Sequence, residues 1–358
     1  MFAVIMCGGS GTRFWPASRR QRPKQFLDIT GRGPMVVETC DRLAPVVRDQ
    51  DMILVLGKDH LEETRKLFNG RDVQMLAEPV GKNTAPCMGL GALYAQHLGC
   101  RGPVAFLPAD HFIGDPQRFL EDLGTAERVA QGGGIVTLGI VPNRPETGYG
   151  YIRRGQDRID VDGRTAYRAL EFVEKPDLEK ARAYLAGGEY YWNGGIFVAR
   201  PEIILGEIRK QIPGLYEGLE RLGRSLDRGN LEEELKAVYP ALESVSFDYG
   251  IMENTKEDLF VIPSECGWSD VGSWGSLYDL RRPEQDGEGN LAEGETLLVE
   301  CERSFVSGRA GRLVACLGLR EVLVVDTDDA LLVADLNRSQ DIRKVVEGLK
   351  RGARDKML

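Results

Sequence analysis

Apolar residues in this chain fall into two kinds of run. Residues 2–6 form a short unbroken apolar stretch that breaks into Cys7-Gly8-Gly9-Ser10-Gly11, and similar stretches recur at 52–56, 103–107 and 134–139. Runs of this length, bounded by turn residues, predict buried strands. The longer segments 59–68, 84–98 and 116–131 read as helices. Continuous apolar strands alternating with helices imply an α/β fold, with a Rossmann-like mixed, mostly parallel sheet flanked by helices. In such sheets ligands bind at the carboxyl ends of the strands, so the loops after 2–6 and 103–107 are expected to face one site. Residues 149–153 and 166–174 read as further strands. Pro176 and Pro201 each follow a strand and precede a helical stretch, a place that suits proline at a helix start. The charged, amphipathic stretch 215–238 predicts surface helices.

The pattern changes near 283. Residues 282–290 form a turn-rich linker, followed by short apolar runs at 296–299, 312–317, 322–326 and 330–334 and a helical stretch at 339–351. Two domains are expected, 1–282 and a small β domain at 283–358 that ends in a helix.

Composition narrows the function. The 358 residues suffice for one large domain with a small one. A formal net charge of −9 argues against a nucleic-acid partner, while leaving room for a local basic pocket. The seven cysteines form no CxxC pair, and with three histidines there is no zinc-like cluster. Their odd number fits reduced thiols in the cytoplasm. The start lacks the basic region of a signal peptide, and no apolar run approaches the roughly 18 residues of a membrane span. No membrane partner is expected.

The chemistry concentrates in a few segments. The loop Gly8-Gly9-Ser10-Gly11-Thr12-Arg13 has neither a Walker A lysine nor the third glycine of a dinucleotide-binding fingerprint, so a dehydrogenase reading fails. Its glycines still let backbone N–H groups approach phosphate oxygens, and Arg13 and Lys24 add the cations a triphosphate needs. The plain alternative is a glycine turn with two solvent-facing bases. Asp110 ends an apolar strand, and Asp270 lies between Trp268 and Gly272. Two such carboxylates, with phosphate oxygens and water, suit magnesium; equally, either is a loop or capping aspartate. Glu174-Lys175 sets an acceptor beside a cation, although strand alternation would aim the two apart unless the strand has ended. Asn193-Gly194 and Gly148-Tyr149-Gly150 offer an amide and bare backbone to a sugar, or a simple hairpin turn.

From Gly8 to Phe26 the chain resembles the sugar-phosphate nucleotidylyltransferases, and in its finer detail the mannose-1-phosphate guanylyltransferases. Glu78 to Pro86, Pro108-Ala109-Asp110-His111, Phe172 to Pro176, Trp192 to Phe197 and Trp268 to Trp274 resemble the family's later segments in order. The resemblance spans residues 1 to about 335. It implies the nucleotide-diphospho-sugar transferase fold and transfer of a nucleotidyl group from GTP to mannose 1-phosphate. It also implies Mg2+ at Asp110 and Asp270 and catalytic cations at Arg13 and Lys24. Gly8, Gly9, Gly11, Thr12, Glu78, Asn83 and Thr84 would hold the nucleotide. Gly148, Gly150, Glu174, Lys175, Asn193 and Gly194 would hold the sugar phosphate. Glu78 or main-chain carbonyls would read guanine; Asn83 and Thr84 equally suit helix capping, as does Asp248. His60, His97 and His111 read as structural by default, with orientation of Asp110 the alternative for His111. The C-terminal runs resemble the left-handed β-helix-like module of single-function relatives, so a homodimer is expected. Other relatives carry a phosphomannose isomerase domain after the transferase; with none seen before Leu358, no isomerase activity is expected. The competing readings are a sibling that uses another base or sugar and a silent nucleotide-sugar sensor, which would be expected to lose one of these charged residues.

Overall fold

The computed structural model describes residues 1–9 and 11–358; Ser10 of the glycine loop lies outside the described residues. The apolar runs form β1 (Phe2–Cys7) and β2 (Met52–Gly57), followed by β3 (Gln74–Glu78), β4 (Val104–Pro108) and β5 (Ile135–Ile140). Then come β6 (Tyr151–Val161), β7 (Arg164–Val173), β8 (Tyr190–Ala199) and β9 (Leu259–Ser264). These nine strands make one sheet in the order β3-β2-β1-β4-β8-β5-β9-β7-β6. The first four pair in parallel, and β8 inserts antiparallel between β4 and β5. The sheet is therefore mixed. Ala3, Val4, Ile5, Ile53, Leu54 and Val55 are fully buried, which is why these strands are apolar on both faces.

Helix α1 (Thr84–His97) is apolar on nearly every side, as a helix packed on both faces must be. Helix α2 (Pro116–Gln131) starts where its chemistry directs: Asp115 accepts from the Arg118 N–H at 3.0 Å, with Pro116 as the first helical residue. Pro201 likewise opens α3 (Pro201–Gln211). Pro176 does not open a helix; Asp177 caps the next one, and Pro176 stands ahead of the cap. The stretch 215–238 forms α4 (Pro213–Arg228) and a second helix, Leu231–Val238, and α4 turns Leu215, Leu219 and Leu222 into the core.

Two strands carried little sequence signal. β3 has three apolar residues flanked by polar ones, and β9 is cut short by Pro263, yet β9 lies inside the sheet, parallel to β5. Both are held by neighbours rather than by their own periodicity.

Contacts divide the chain into two compact units. The first is Met1–Gly8, Thr39–Ala109 and Ile113–Trp268; the second is Gly9–Glu38, Asp110–Phe112 and Ser269–Leu358. Compactness thus groups Gly9–Glu38, Asp110 and Asp270 with the C-terminal segment. The second unit holds β10 (Leu291–Glu293), β11 (Thr296–Val299), β12 (Phe305–Ser307), β13 (Val314–Leu317), β14 (Val322–Asp326) and β15 (Leu331–Asp335). β10, β12 and β14 stack in parallel, as do β11 and β13, in a β-helix-like coil that β15 ends by pairing antiparallel with β14. Helix α5 (Ile342–Arg351) packs Ile342 and Val346 beside Phe14 and Trp15. No disulfide joins the cysteines, all of which are buried. Among the described residues, no helix is long and apolar enough to cross a membrane.

Candidate active site

Three residues predicted from distant segments meet in the second unit. The Lys24 side chain is 6% exposed, and its Nζ donates to the Asp110 carboxylate at 2.9 Å, the Asp110 main-chain oxygen at 2.7 Å and the Asp270 main-chain oxygen at 2.5 Å. An ammonium has three protons, and all three are committed. Lys24 is therefore an organiser of the two aspartates rather than a solvent-facing base. Burial alone would raise the Asp110 carboxyl, but the Lys24 ammonium and neighbouring His111 bring it below the usual aspartate value, so it is ionised at neutral pH.

Local backbone explains the meeting. Gly11 sits at φ +55, and a Cβ there would come within 2.8 Å of both Lys24 N and Lys24 Cβ, so only glycine lets the loop lie against Lys24. Val271, after Asp270, is held at φ +41, an outlying conformation for a β-branched residue and a local strain beside the site. The Asp270 Oδ1 accepts from the Gly272 N–H at 3.2 Å. Lys24 thus joins the Asp110 carboxylate to the Asp270 main chain, and carboxylate oxygens of this kind suit a hard divalent cation that takes further ligands from phosphate and water. Thr12 and Arg13 lie in a short turn, Thr12–Phe14; Arg13 is exposed and donates to Gln340 at 2.8 Å. Gly8 and Gly9 are exposed, with Gly9 at φ +101.

The first unit gathers the other candidates. β7 ends at Val173, and Lys175 takes φ +47. That left-handed turn defeats strand alternation: the Lys175 Nζ folds back onto Glu174 Oε1 at 2.5 Å. The Glu174 side chain is 7% exposed, and its Oε2 is buried with no hydrogen-bond partner. Burial pushes the Glu174 carboxyl up, against the opposing pull of Lys175. Its N–H donates to Glu253 at 3.0 Å. Asn193 lies on β8 and donates to Asp248 Oδ1 at 2.7 Å, while Gly194 stands beside it on the same strand. Gly150 is buried and Gly148 exposed, the latter donating to Glu146 at 2.9 Å.

The nucleotide candidates of this unit have structural partners. Glu78 ends β3, is only 5% exposed, and accepts from the Tyr239 O–H. Burial raises its carboxyl. Asn83, at φ 68, caps α1 by accepting from the Thr84 N–H at 2.9 Å, and the Thr84 hydroxyl accepts from the Phe247 N–H at 2.8 Å. Tyr239 and Glu253 carried no sequence signal, because neither lies in a motif; only the fold brings them to Glu78 and Glu174.

Comparison with known proteins extends these observations. The Nucleotidyl transferase family model matches residues 2–286, and the MannoseP isomerase/GMP-like beta-helix domain model matches 294–349. The chain is 39% identical to a mannose-1-phosphate guanylyltransferase of Escherichia coli, covering 99% of this chain and 75% of that protein. It is 40% identical to the xanthan biosynthesis protein XanB of Xanthomonas campestris pv. campestris (strain B100), over 98% of this chain and 73% of that one. A crystal structure from Thermus thermophilus, described as mannose-1-phosphate geranyltransferase, superposes with a TM-score of 0.86 at 35% identity, covering 98% of this chain and 99% of that one.

Proposed function

Because this chain belongs to the nucleotidyl transferase family, we propose that it is an enzyme joining GTP to α-D-mannose 1-phosphate, giving GDP-mannose and diphosphate. The observation that carries the reading is the Lys24 ammonium fixed between Asp110 and Asp270, residues 86 and 246 positions away in the chain. A phosphate oxygen of the sugar attacks the α-phosphorus of GTP, a new P–O bond forms, and the bond to the bridging oxygen of the β-phosphate breaks. The attacking phosphate is already an anion at neutral pH, so no strong general base is needed; positioning and charge neutralisation carry the catalysis.

Asp110 and Asp270 would hold magnesium, which when bound neutralises phosphate charge and orients the α-phosphoryl group. Lys24 fixes the two aspartates, and the exposed Arg13 guanidinium would meet the leaving diphosphate. The loop of Gly8, Gly9, Gly11 and Thr12 supplies backbone N–H groups to the triphosphate. The guanine base goes to the 78–84 segment, whose main-chain carbonyls are the acceptors its N1–H and N2–H2 require, since the Glu78 carboxylate is buried against Tyr239, with Asn83 and Thr84 shaping the turn. Glu174, Asn193 and Gly194 take sugar hydroxyls over the bare backbone of Gly148 and Gly150, and Lys175 exchanges Glu174 for the sugar phosphate. We place the catalytic domain at 1–282 and the β module at 283–358, and the enzyme in the cytoplasm, where buried thiols stay reduced.

Supplied with magnesium, four nucleoside triphosphates and a set of hexose 1-phosphates, the protein is expected to release pyrophosphate fastest with GTP and mannose 1-phosphate. Faster turnover of a thymidine or uridine triphosphate with glucose 1-phosphate would make it a sibling enzyme. No turnover of any pair would leave the sensor. The β module exposes Leu313, Leu317, Leu331 and Val333, and we assign this apolar surface to a homodimer contact. Sedimentation is expected to give twice the chain mass, and a monomer mass throughout the micromolar range rejects the assignment.

A further inference from the structure

Asn193 is fixed at both ends of its amide. Its Oδ1 accepts from the Gly195 N–H at 3.0 Å and lies 3.5 Å from Thr137 Oγ1, and its Nδ2 donates to Asp248 Oδ1 at 2.7 Å. A primary amide has two N–H donors and one oxygen with two lone pairs. The oxygen is therefore fully occupied, and one N–H is left over. The Gly195 N–H marks the oxygen end of the amide, and Asp248 Oδ1, as an acceptor, holds the nitrogen end in place.

Opposite stands the complementary group. Glu174 Oε2 is buried, has no hydrogen-bond partner and belongs to a side chain 7% exposed. Gly150 relates the two residues: a methyl group there would lie 2.5 Å from Glu174 Oε2 and 3.2 Å from Asn193 Cβ. Donor-bearing and acceptor-bearing side chains thus converge on one bare Cα. A hydroxyl needs one acceptor for its proton and one donor for its oxygen. Asp248 itself opens a π-helical turn, Asp248–Met252, a rare geometry found frequently at functional sites.

We propose that Asp248 is a specificity-determining positioning residue. It holds the Asn193 amide so that its spare N–H, with Glu174 Oε2, takes a single hydroxyl of the hexose 1-phosphate. This rests on the hexose-1-phosphate reading of Glu174 and Lys175 given above.

Two variants test it by steady-state pyrophosphate release, using GTP, the hexose 1-phosphate that the wild type turns over fastest, and its singly deoxygenated analogues. Asp248→Leu, which removes the acceptor for Asn193 Nδ2, is expected to raise the hexose-phosphate KM about tenfold or more while leaving the GTP KM unchanged. The analogue lacking the bound hydroxyl is expected to lose little further in this variant. The reciprocal swap Asn193→Asp with Asp248→Asn rebuilds one amide–carboxylate bond, so its melting temperature is expected to return toward that of the wild type. The swap leaves no spare N–H at 193, so the hexose-phosphate KM is expected to stay high. A swap that restores that KM, or an Asp248→Leu variant whose hexose-phosphate KM equals that of the wild type, overturns the proposal. A wild type that turns over no hexose 1-phosphate removes the reaction reading itself, and this inference with it.

Discussion

Asp110→Asn is expected to lower turnover by roughly two to three orders of magnitude at saturating magnesium, the loss of about 3–4 kcal/mol of transition-state stabilisation. The substitution is close to isosteric, and it leaves intact the main-chain bond from Lys24 to the Asp110 oxygen at 2.7 Å. What it removes is one negative charge, on a carboxylate that Lys24 and His111 keep ionised. A neutral amide is a poor magnesium ligand, since this ion prefers hard anionic oxygens. Asp270→Asn is expected to act alike, because the bond from Lys24 to the main-chain oxygen of Asp270 survives it. The measurement is kcat for each variant across a magnesium titration, beside thermal melts showing the fold intact. If both variants stay near the wild-type rate with the ion in excess, the metal assignment is wrong.

Lys24→Met should be the second most damaging change, and it should act on stability as well as rate. Methionine keeps an unbranched apolar stem close to the Phe14 ring, whose centroid lies 5.9 Å from the lysine Nζ. It cannot replace three donated hydrogen bonds. The Asp110 carboxylate, 29% exposed, would keep its charge without its buried partner. Breaking a fully buried ion pair from one side costs about 3–5 kcal/mol; partial access of water to Asp110 lowers this to about 2–3 kcal/mol. Turnover should fall about a hundredfold or more, because Asp110 and Asp270 lose the group that sets their spacing, and preorganised charge is the main catalytic resource of such transfers. Extra magnesium should not recover it. A variant that melts like the wild type and turns over at a similar rate would mean that the Lys24 contacts contribute nothing to the site.

Much of the fold was legible because the apolar periodicity was strong. The strands at 2–6, 52–56, 103–107 and 134–139 and the helix 116–131 all formed within a residue or two of expectation. β9 escaped because Pro263 interrupts its run, and β3 because three apolar residues carry no period. The candidate residues were legible by type and order, but their partners were not. Glu174 and Lys175 should diverge by strand alternation, and the positive φ of Lys175 reverses that. Glu78 read as an open acceptor, yet the fold buries it against Tyr239. Asn83 and Thr84 were open between ligand contact and capping, and the structure gives both a structural partner.

By itself, the sequence determined the α/β class, a small β domain near the C-terminus and the set of charged residues suited to phosphate chemistry. Periodicity and composition are local quantities, and they survive reading one residue at a time. Only the tertiary structure decided that the protons of Lys24 are spent on Asp110 and Asp270, that Glu174 keeps one buried oxygen unpaired, and that Asp248 orients Asn193. Hydrogen-bond partnership depends on directions and distances of a few ångströms between segments far apart in the chain, and spacing along the chain does not encode those.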